Sequence, residues 1–311
     1  AFLALGCGRI YLSPAQIVAA IIHPAAHPLA SNVILTLRLP RIIGSLLIGA
    51  SLAASGCAFQ NVFQNPLVSP DILGVSYGAA VGASTAILIG MGIWGTQILA
   101  FAGGIIAVLL TVFIARIINH RGTLILVLAG IIVSGFIQAV LGLLKYVADP
   151  DSQLQSIVYW QLGSIAKVDL HSILAVLPML IIGGIILALL RWHLTILSLG
   201  DQLASTEGIN VERERMLAVL ASTLLTAAST CLSGNIGWVG LVIPHMARAI
   251  IGDNSRYALP LSAIVGGGFL LLVDTLARTL SAGEIPLSIL TGFIGAPLFV
   301  YILVRKKVRL Q

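Results

Sequence analysis

The sequence predicts an all-α polytopic protein that crosses a membrane about ten times, and three observations carry the prediction. The 311 residues are 58% hydrophobic and only 9% charged, with a mean hydropathy of +1.06. Soluble domains are about half apolar and about a quarter charged, so a water-soluble enzyme with a large core is excluded. The apolar residues also come in unbroken runs rather than in alternation. In hydrocarbon every backbone N–H and C=O must be paired within its own segment or within a closed barrel, so unbroken runs mean helices. Finally, Lys and Arg gather in alternate connections, as a multi-pass topology requires.

The elements follow in order. A span takes about 20 apolar residues. Runs of suitable length lie at 42–63, 72–93, 98–118, 124–146, 173–190, 216–232, 239–251, 259–280 and 288–304. The opening "AFLALGCG" reads as the tail of a tenth helix. It starts without Met and is too short to cross alone, so further residues are expected upstream; a cleaved signal peptide is the alternative. The whole of 1–311 forms one transmembrane domain. Gly74, Gly78 and Gly82 recur every four residues, as do Gly292 and Ala296, a spacing that lets helix backbones approach closely. Pro66, Pro70, Pro244, Pro286 and Pro297 are expected to break or bend segments near their ends.

Placing the carboxyl-terminal "VRKKVR" in the cytoplasm puts both termini there when ten spans are counted. The inside connections then hold Arg116, Arg121, Arg191, Arg213, Arg215, Arg248, Arg256, Arg305, Lys306, Lys307 and Arg309. The outside ones hold Arg9, Arg38, Arg41, Lys145, Lys167 and Arg278. The net charge of +6 is thereby mostly positive-inside bias and not a nucleic-acid footprint.

Several chemistries find no support. No phosphate-binding G-x-x-x-x-G-K-[ST] loop, H-E-x-x-H or C-x-x-C occurs. Cys7, Cys57 and Cys231 are scattered through apolar helices, where they act as small hydrophobes. His23 and His27 are four apart, but Pro24 intervenes. Asp274 is the only acid deep in an apolar run; one helical turn from Arg278, it reads as half of an i,i+4 pair near the outer face. A carrier driven by protons or sodium through a charged relay is disfavoured on that count.

One stretch stands apart. "LGDQLASTEGINVERER", 199–215, carries six charges in seventeen residues, between long apolar runs. Asp201 is expected to cap a short helix reaching Glu207, with Gly208 as its stop. Leu203 and Leu199 would give that helix an apolar side. A short amphipathic cytoplasmic helix on a bundle without its own energy source suits docking to a soluble motor. A solvated loop is the plain alternative.

Three long segments resemble one known family. "LPRIIGSLLIGASLAASGCAFQNVFQNPLVSPDILGVSYGAAVGA" (39–83), "GWVGLVIPHMAR" (237–248) and "EIPLSILTGFIGAPLFVYIL" (284–303) are similar to signatures of the ABC permeases that import iron–siderophores, haem and vitamin B12. The resemblance spans essentially the whole chain, in order. It implies the fold of the vitamin B12 importer (type II), with about ten helices per subunit in the bacterial inner membrane. It also implies a homodimer, two ATP-binding cassette subunits below, and a periplasmic substrate-binding protein above. The chain itself would be no enzyme and hold no cofactor, ATP and Mg being used by the partner ATPase.

The resemblance also assigns residues. "GDQLASTEG" (200–208), within a coupling segment at 195–215, resembles the helix that sits in a groove of each ATPase; its candidates are Asp201, Leu203, Ala204, Glu207 and Gly208. Of these, Leu203, Ala204 and Gly208 are expected to carry the contact. Arg38, Arg41 and Arg278 occupy positions that face acidic residues of the binding protein. Asn65, Leu67 and Thr123 match the cytoplasmic gate, although Leu124 stands where the family has a small hydroxyl residue. Ser134, Gln138, Ser288 and Thr291, on the two helices implied to line the pathway, are pore candidates, and each can equally be an interhelical hydrogen bond. Within the family the chain most resembles the metal-chelate-type permease associated with molybdate and tungstate. Siderophore, haem or cobalamin is the alternative cargo, and a passive channel or ion-coupled carrier the alternative class.

Overall fold

The computed structural model describes residues 2–6, 8, 12–24, 26–118, 123–281 and 283–308. Cys7, Arg9, Arg121 and Arg309 lie outside the described residues, as do the side chains of Arg305, Lys306 and Lys307.

Among the described residues the chain is helical throughout. Two short helices, α1 (Phe2–Gly6) and α2 (Pro14–Ile22), precede the long α3 (Pro28–Val62). Then come α4 (Val75–Leu88), α5 (Gly92–Ile117), α6 (Thr123–Val147), α7 (Gln153–Gln161) and α8 (Leu170–Leu197). The six-residue α9 (Asp201–Thr206) leads to α10 (Val211–Ser233), α11 (Val239–Ile251), α12 (Ser255–Leu280) and α13 (Leu287–Val308). Six are long and apolar enough to cross a membrane: α3, α5, α6, α8, α10 and α12. The apolar parts of α4, α11 and α13 are shorter. These nine match the nine runs read from the sequence. The tenth does not appear as a span: α1 is a five-residue piece.

Local chemistry sets the boundaries. The capping box of Ser13 and Gln16, with Pro14 at the first position, starts α2. Asp169 caps α8, accepting from the Ser172 N–H at 2.8 Å. That bonding to Ser172 holds the Asp169 carboxyl below its usual range. Pro40 falls early in α3, has no N–H to give and crowds the preceding turn. The helix passes it by widening over Val33–Arg38, where the Leu39 N–H reaches the Ile34 carbonyl. The run at 72–93 yields a shorter helix because Pro70–Leu73 forms a separate tight turn. Gly74 then takes φ +86°, a left-handed conformation that glycine adopts without cost.

The centre of α3 is the axis of the core. It packs against α12, α10, α11 and α8, while α4 and α5 form a close hairpin with α6 beside them. Without a hydrophobic drive between helices in lipid, close backbone approach and polar ties must hold the bundle. A Cβ on Gly56 would stand 1.9 Å from the Gly240 carbonyl oxygen, and one on Gly49 2.2 Å from that of Gly266. Gly78 and Gly82 seat α4 on α5 in the same way, against Gly103 and Leu99. Gly292 departs from its expected role: it and Gly295 meet the ring and Cβ of Trp238 rather than another helix backbone.

Pro244 explains a polar tie in this core. It leaves the Gly240 carbonyl without its helical donor, and that oxygen lies against α3, where the Gln60 side chain reaches it at 3.5 Å and the Leu241 carbonyl at 3.1 Å. Gln60 is itself held by Arg248. Asn61 and Ser255 join α3 to α12 at 2.9 Å, and Ser55 and Thr226 join α3 to α10 at the same distance.

These contacts predict a sharp contrast between glycines. Gly56→Val drives a branched side chain into the Gly240 backbone and should cost about 1–3 kcal/mol or more by overpacking. Gly184 of α8 has nothing within 4 Å of its built Cβ, so Gly184→Ala should stabilise by up to about 1 kcal/mol. Thermal unfolding in detergent reads both.

Candidate functional site

The candidate residues gather at the two ends of the bundle. At one end lie the loop after α3, the start of α6, and α9. At the other lie α1, the beginning of α3, the end of α12 and the turn before α13.

Asp201 organises the first end. It is the first residue of α9 and not its cap; Gly200 holds the capping position with φ +117°. The Asp201 carboxylate instead accepts from Arg215 at 2.6 Å and from the Gln64 side chain at 3.1 Å. This fixes α9 to α10 and to the loop that leaves α3. Gly208, at φ +76°, ends the helix as expected, its N–H reaching the Ser205 carbonyl at 3.1 Å. Leu199 and Leu203 are 64% and 55% exposed. Glu207 is exposed as well. Ala204 is fully buried within the chain, so of the three residues expected to carry a partner contact it faces inward. The result is a small rigid knob with a leucine face outward.

Beside it, Asn65 and Leu67 are exposed, and Asn65 accepts from the Leu67 N–H at 2.9 Å in a local turn. Thr123 opens α6, half-buried. A cleft of about 560 Å³ between the end of α5, the start of α6, α9 and α10 is lined by Arg116, Leu126, Asp201 and Arg215. The three gate candidates and the coupling candidates therefore share one end of the molecule.

The three docking candidates share the other end, but they face inward. Arg38, Arg41 and Arg278 are 6%, 8% and 6% exposed. Arg38 donates to the Leu5 carbonyl and Arg278 to the Ala4 carbonyl, tying α1 to α3 and α12. Arg41 Nε donates to both oxygens of Asp274, at 2.8 and 3.0 Å, and its Nη1 reaches Glu284 at 3.0 Å. The hydrogen-bonded partner of Asp274 is thus Arg41 on another helix, in addition to its expected i,i+4 neighbour Arg278. Asp274 is wholly buried on the α12 face that packs on α3, where Arg41 presents its fork to it.

The pore candidates separate. Ser134 is buried next to Gly74, and Thr291 is buried with its hydroxyl on the Ser288 carbonyl at 3.2 Å. Ser288 donates to the Asn235 carbonyl at 2.5 Å. These three sit in packing within the protomer. Gln138 is exposed on α6, among Ile131, Ile132 and Phe136, which are also exposed.

Two residues were missed in the sequence. Asp71 is a second acid inside the bundle, in the Pro70–Leu73 turn, with Ser76 and Ser69 as its donors. The rule that intramembrane acids are functional would have found it, had it not sat at a predicted helix boundary. Trp238 starts α11 at φ +71°, a strained conformation for a bulky residue, with its ring against Gly292 and Gly295. Only its place in "GWVG" hinted at it.

With both ends described, the chain can be set beside known proteins. The FecCD transport family model matches residues 1–305. The chain belongs to the FecCD transport family. The molybdate import permease MolB of Haemophilus influenzae is 41% identical over 306 residues, covering 96% of this chain and 90% of that protein. The cobalamin import permease BtuC of Halobacterium salinarum is 38% identical over 281 residues, covering 90% and 75%. The hemin permease HmuU of Yersinia pestis is 36% identical, covering 88% and 83%. Among solved structures, an inward-facing metal-chelate type ABC transporter superposes with a TM-score of 0.88 at 38% identity, covering 98% of this chain and 94% of that one. PsaBC of Streptococcus pneumoniae shares the fold alone, with a TM-score of 0.59 at 18% identity. This FecCD protein is therefore an integral membrane ABC permease.

Removing one partner of the buried pair leaves the other charge stranded. Arg41→Ala should cost about 3–5 kcal/mol, while Glu284→Gln, at the partly exposed rim of the same cluster, should cost under about 1 kcal/mol. Thermal unfolding of the two variants checks the ranking.

Proposed function

We propose that the chain is the membrane-spanning subunit of a binding-protein-dependent ABC importer in the bacterial inner membrane, carrying a metal-containing substrate, with molybdate or tungstate as the specific cargo. Its working form is a homodimer with two ATPase subunits on the α9 side and a periplasmic binding protein on the arginine side. Hydrolysis belongs to the ATPases, with their ATP and Mg. Both termini lie in the cytoplasm. The full-length family match supports the class, and the 41% identity to MolB supports the cargo. Iron chelates, haem and cobalamin form the second reading, favoured by the cobalamin and hemin permeases among the relatives.

The geometry that carries the reading is α9. Leu203 stands exposed on α9 and Leu199 in the turn before it, on a segment that its own chain ties down through Asp201, Arg215 and Gln64. A leucine face held rigid in water is poorly placed for a solvated loop and well placed to enter a cleft. Force applied there passes directly into α10 and α3, and so to Asn65, Leu67 and Thr123. In this account Gln138 faces the pathway between two copies, and Ser134, Ser288 and Thr291 set the packing behind it. Arg38, Arg41 and Arg278 are buried within the single chain, so in this account they lend positive potential to the face that receives the binding protein rather than direct contacts.

The test is uptake into vesicles holding the permease, its ATPase and its binding protein. Radiolabelled molybdate should enter only with ATP. Leu203→Asp should cut uptake at least about ten-fold, since a covered leucine is worth about 1.5–3 kcal/mol, with thermal stability unchanged. Uptake of a ferric chelate or cobalamin instead of molybdate would move the cargo to the second reading. Uptake without ATP would replace the class with a passive channel or an ion-coupled carrier.

A further inference from the structure

A cavity of about 140 Å³, with polar and apolar walls, lies between the Pro70–Leu73 turn, the middle of α3, α10 and the start of α11. Among the described residues Asp71 is the only charged residue in its lining, with no Lys, Arg or His beside it. Ser69, Ser76, Thr226, Thr230 and Asn235 also line it, so its side-chain ligands are hard oxygens with one amide; Trp238, which lines it too, can only donate. We propose that this cavity is a monovalent cation site, with the Asp71 carboxylate as its charged ligand.

A carboxylate inside the bundle favours a positive charge beside it, and Asp274 takes Arg41 for that purpose. Asp71 is half-buried in the cavity wall, and among the described residues no Lys or Arg forms an ion pair with it. Its two oxygens accept from serine hydroxyls, Oδ1 from Ser76 and Oδ2 from Ser69 at 3.4 Å. Each carboxylate oxygen has a serine hydroxyl within reach, an arrangement that an ionised carboxylate can use in full. The fourteen-residue α4 starts four residues later, with its positive end toward the turn, and this also favours an anion.

One negative charge is balanced by one positive charge. A divalent ion would leave the cavity with a net charge of +1, and soft transition metals prefer sulfur and imidazole, which the lining lacks. A serine hydroxyl that donates to Asp71 keeps its lone pairs for a cation, so Ser69 and Ser76 can serve both. The volume holds a small ion with a few of its waters. An alkali cation here would pin the Pro70–Leu73 turn to α10 and α11, and so fix the loop from Asn65 to Gly74 relative to α3.

The probe is the purified full-length chain in detergent, unfolded thermally as choline chloride is replaced by sodium or potassium chloride at constant ionic strength. The melting temperature of the wild type should rise saturably with at least one of the two salts. Asp71→Asn should remove the dependence. Ser76→Ala, which keeps the carboxylate, should fold and weaken half-saturation about ten-fold, as loss of one contact at a charged group predicts. Crystals soaked in thallium should show an anomalous peak in the cavity. A wild type that melts identically in choline and both alkali salts would overturn the proposal. So would an Asp71→Asn variant that keeps the full alkali dependence, or, should that variant not fold, an unchanged half-saturation in Ser76→Ala.

Discussion

The backbone contact of α3 with α11 and α12 is the constraint on which the rest of the structure depends. Gly56 on Gly240 and Gly49 on Gly266 bring helices together with no side chain between them. In lipid, apolar side chains gain little by leaving one hydrocarbon surface for another, so close packing and paired polar groups carry the stability. The Gly56 contact does both at once. Pro244 strips the Gly240 carbonyl of its helical donor, glycine lets α3 reach it, and Gln60 supplies a replacement N–H. From that fixed core α3 projects in two directions, to Arg41 at one end and to Gln64 at the other.

The two ends are tied in different physical ways, and this suits different tasks. Arg41, Asp274 and Glu284 form a buried cluster, dear to break and therefore rigid. Asp201, Arg215 and Gln64 form an exposed one, weak in any single pair yet spanning three elements. The exposed cluster orients α9 without burying Leu203 or the neighbouring Leu199, which leaves an apolar face available. The Pro70–Leu73 turn lies between the ends, close to the gate loop, and brings Asp71 into the interior.

The nine apolar helices were legible because their apolar runs are unbroken and their ends carry glycine, proline or polar residues. The segment 199–215 was legible because six charges stand out in a chain this apolar. What could not be read were pairings between distant residues. Spacing alone favours Asp274 with Arg278, four apart on one helix; only the packing of α12 on α3 brings in Arg41, 233 positions away. Ala204 illustrates the same limit. A small residue in a polar segment suits a contact with a partner as well as it suits a contact at home, and the chain's own packing decides for home. The shallow capping pattern at Asp201 misled for a related reason, because Gly200 before it takes φ +117° and moves the aspartate into the helix. The family resemblance named the positions that matter, while their burial had to come from the fold.

The account stands on α9 as the point where force enters the bundle. Its most direct test is a cryo-electron microscopy structure of the permease purified with its ATPase. The account predicts two copies of this chain, each with α9 seated in an ATPase cleft and Leu199 and Leu203 covered. A complex in which α9 stays in solvent, with another loop of this chain in that cleft, would contradict it.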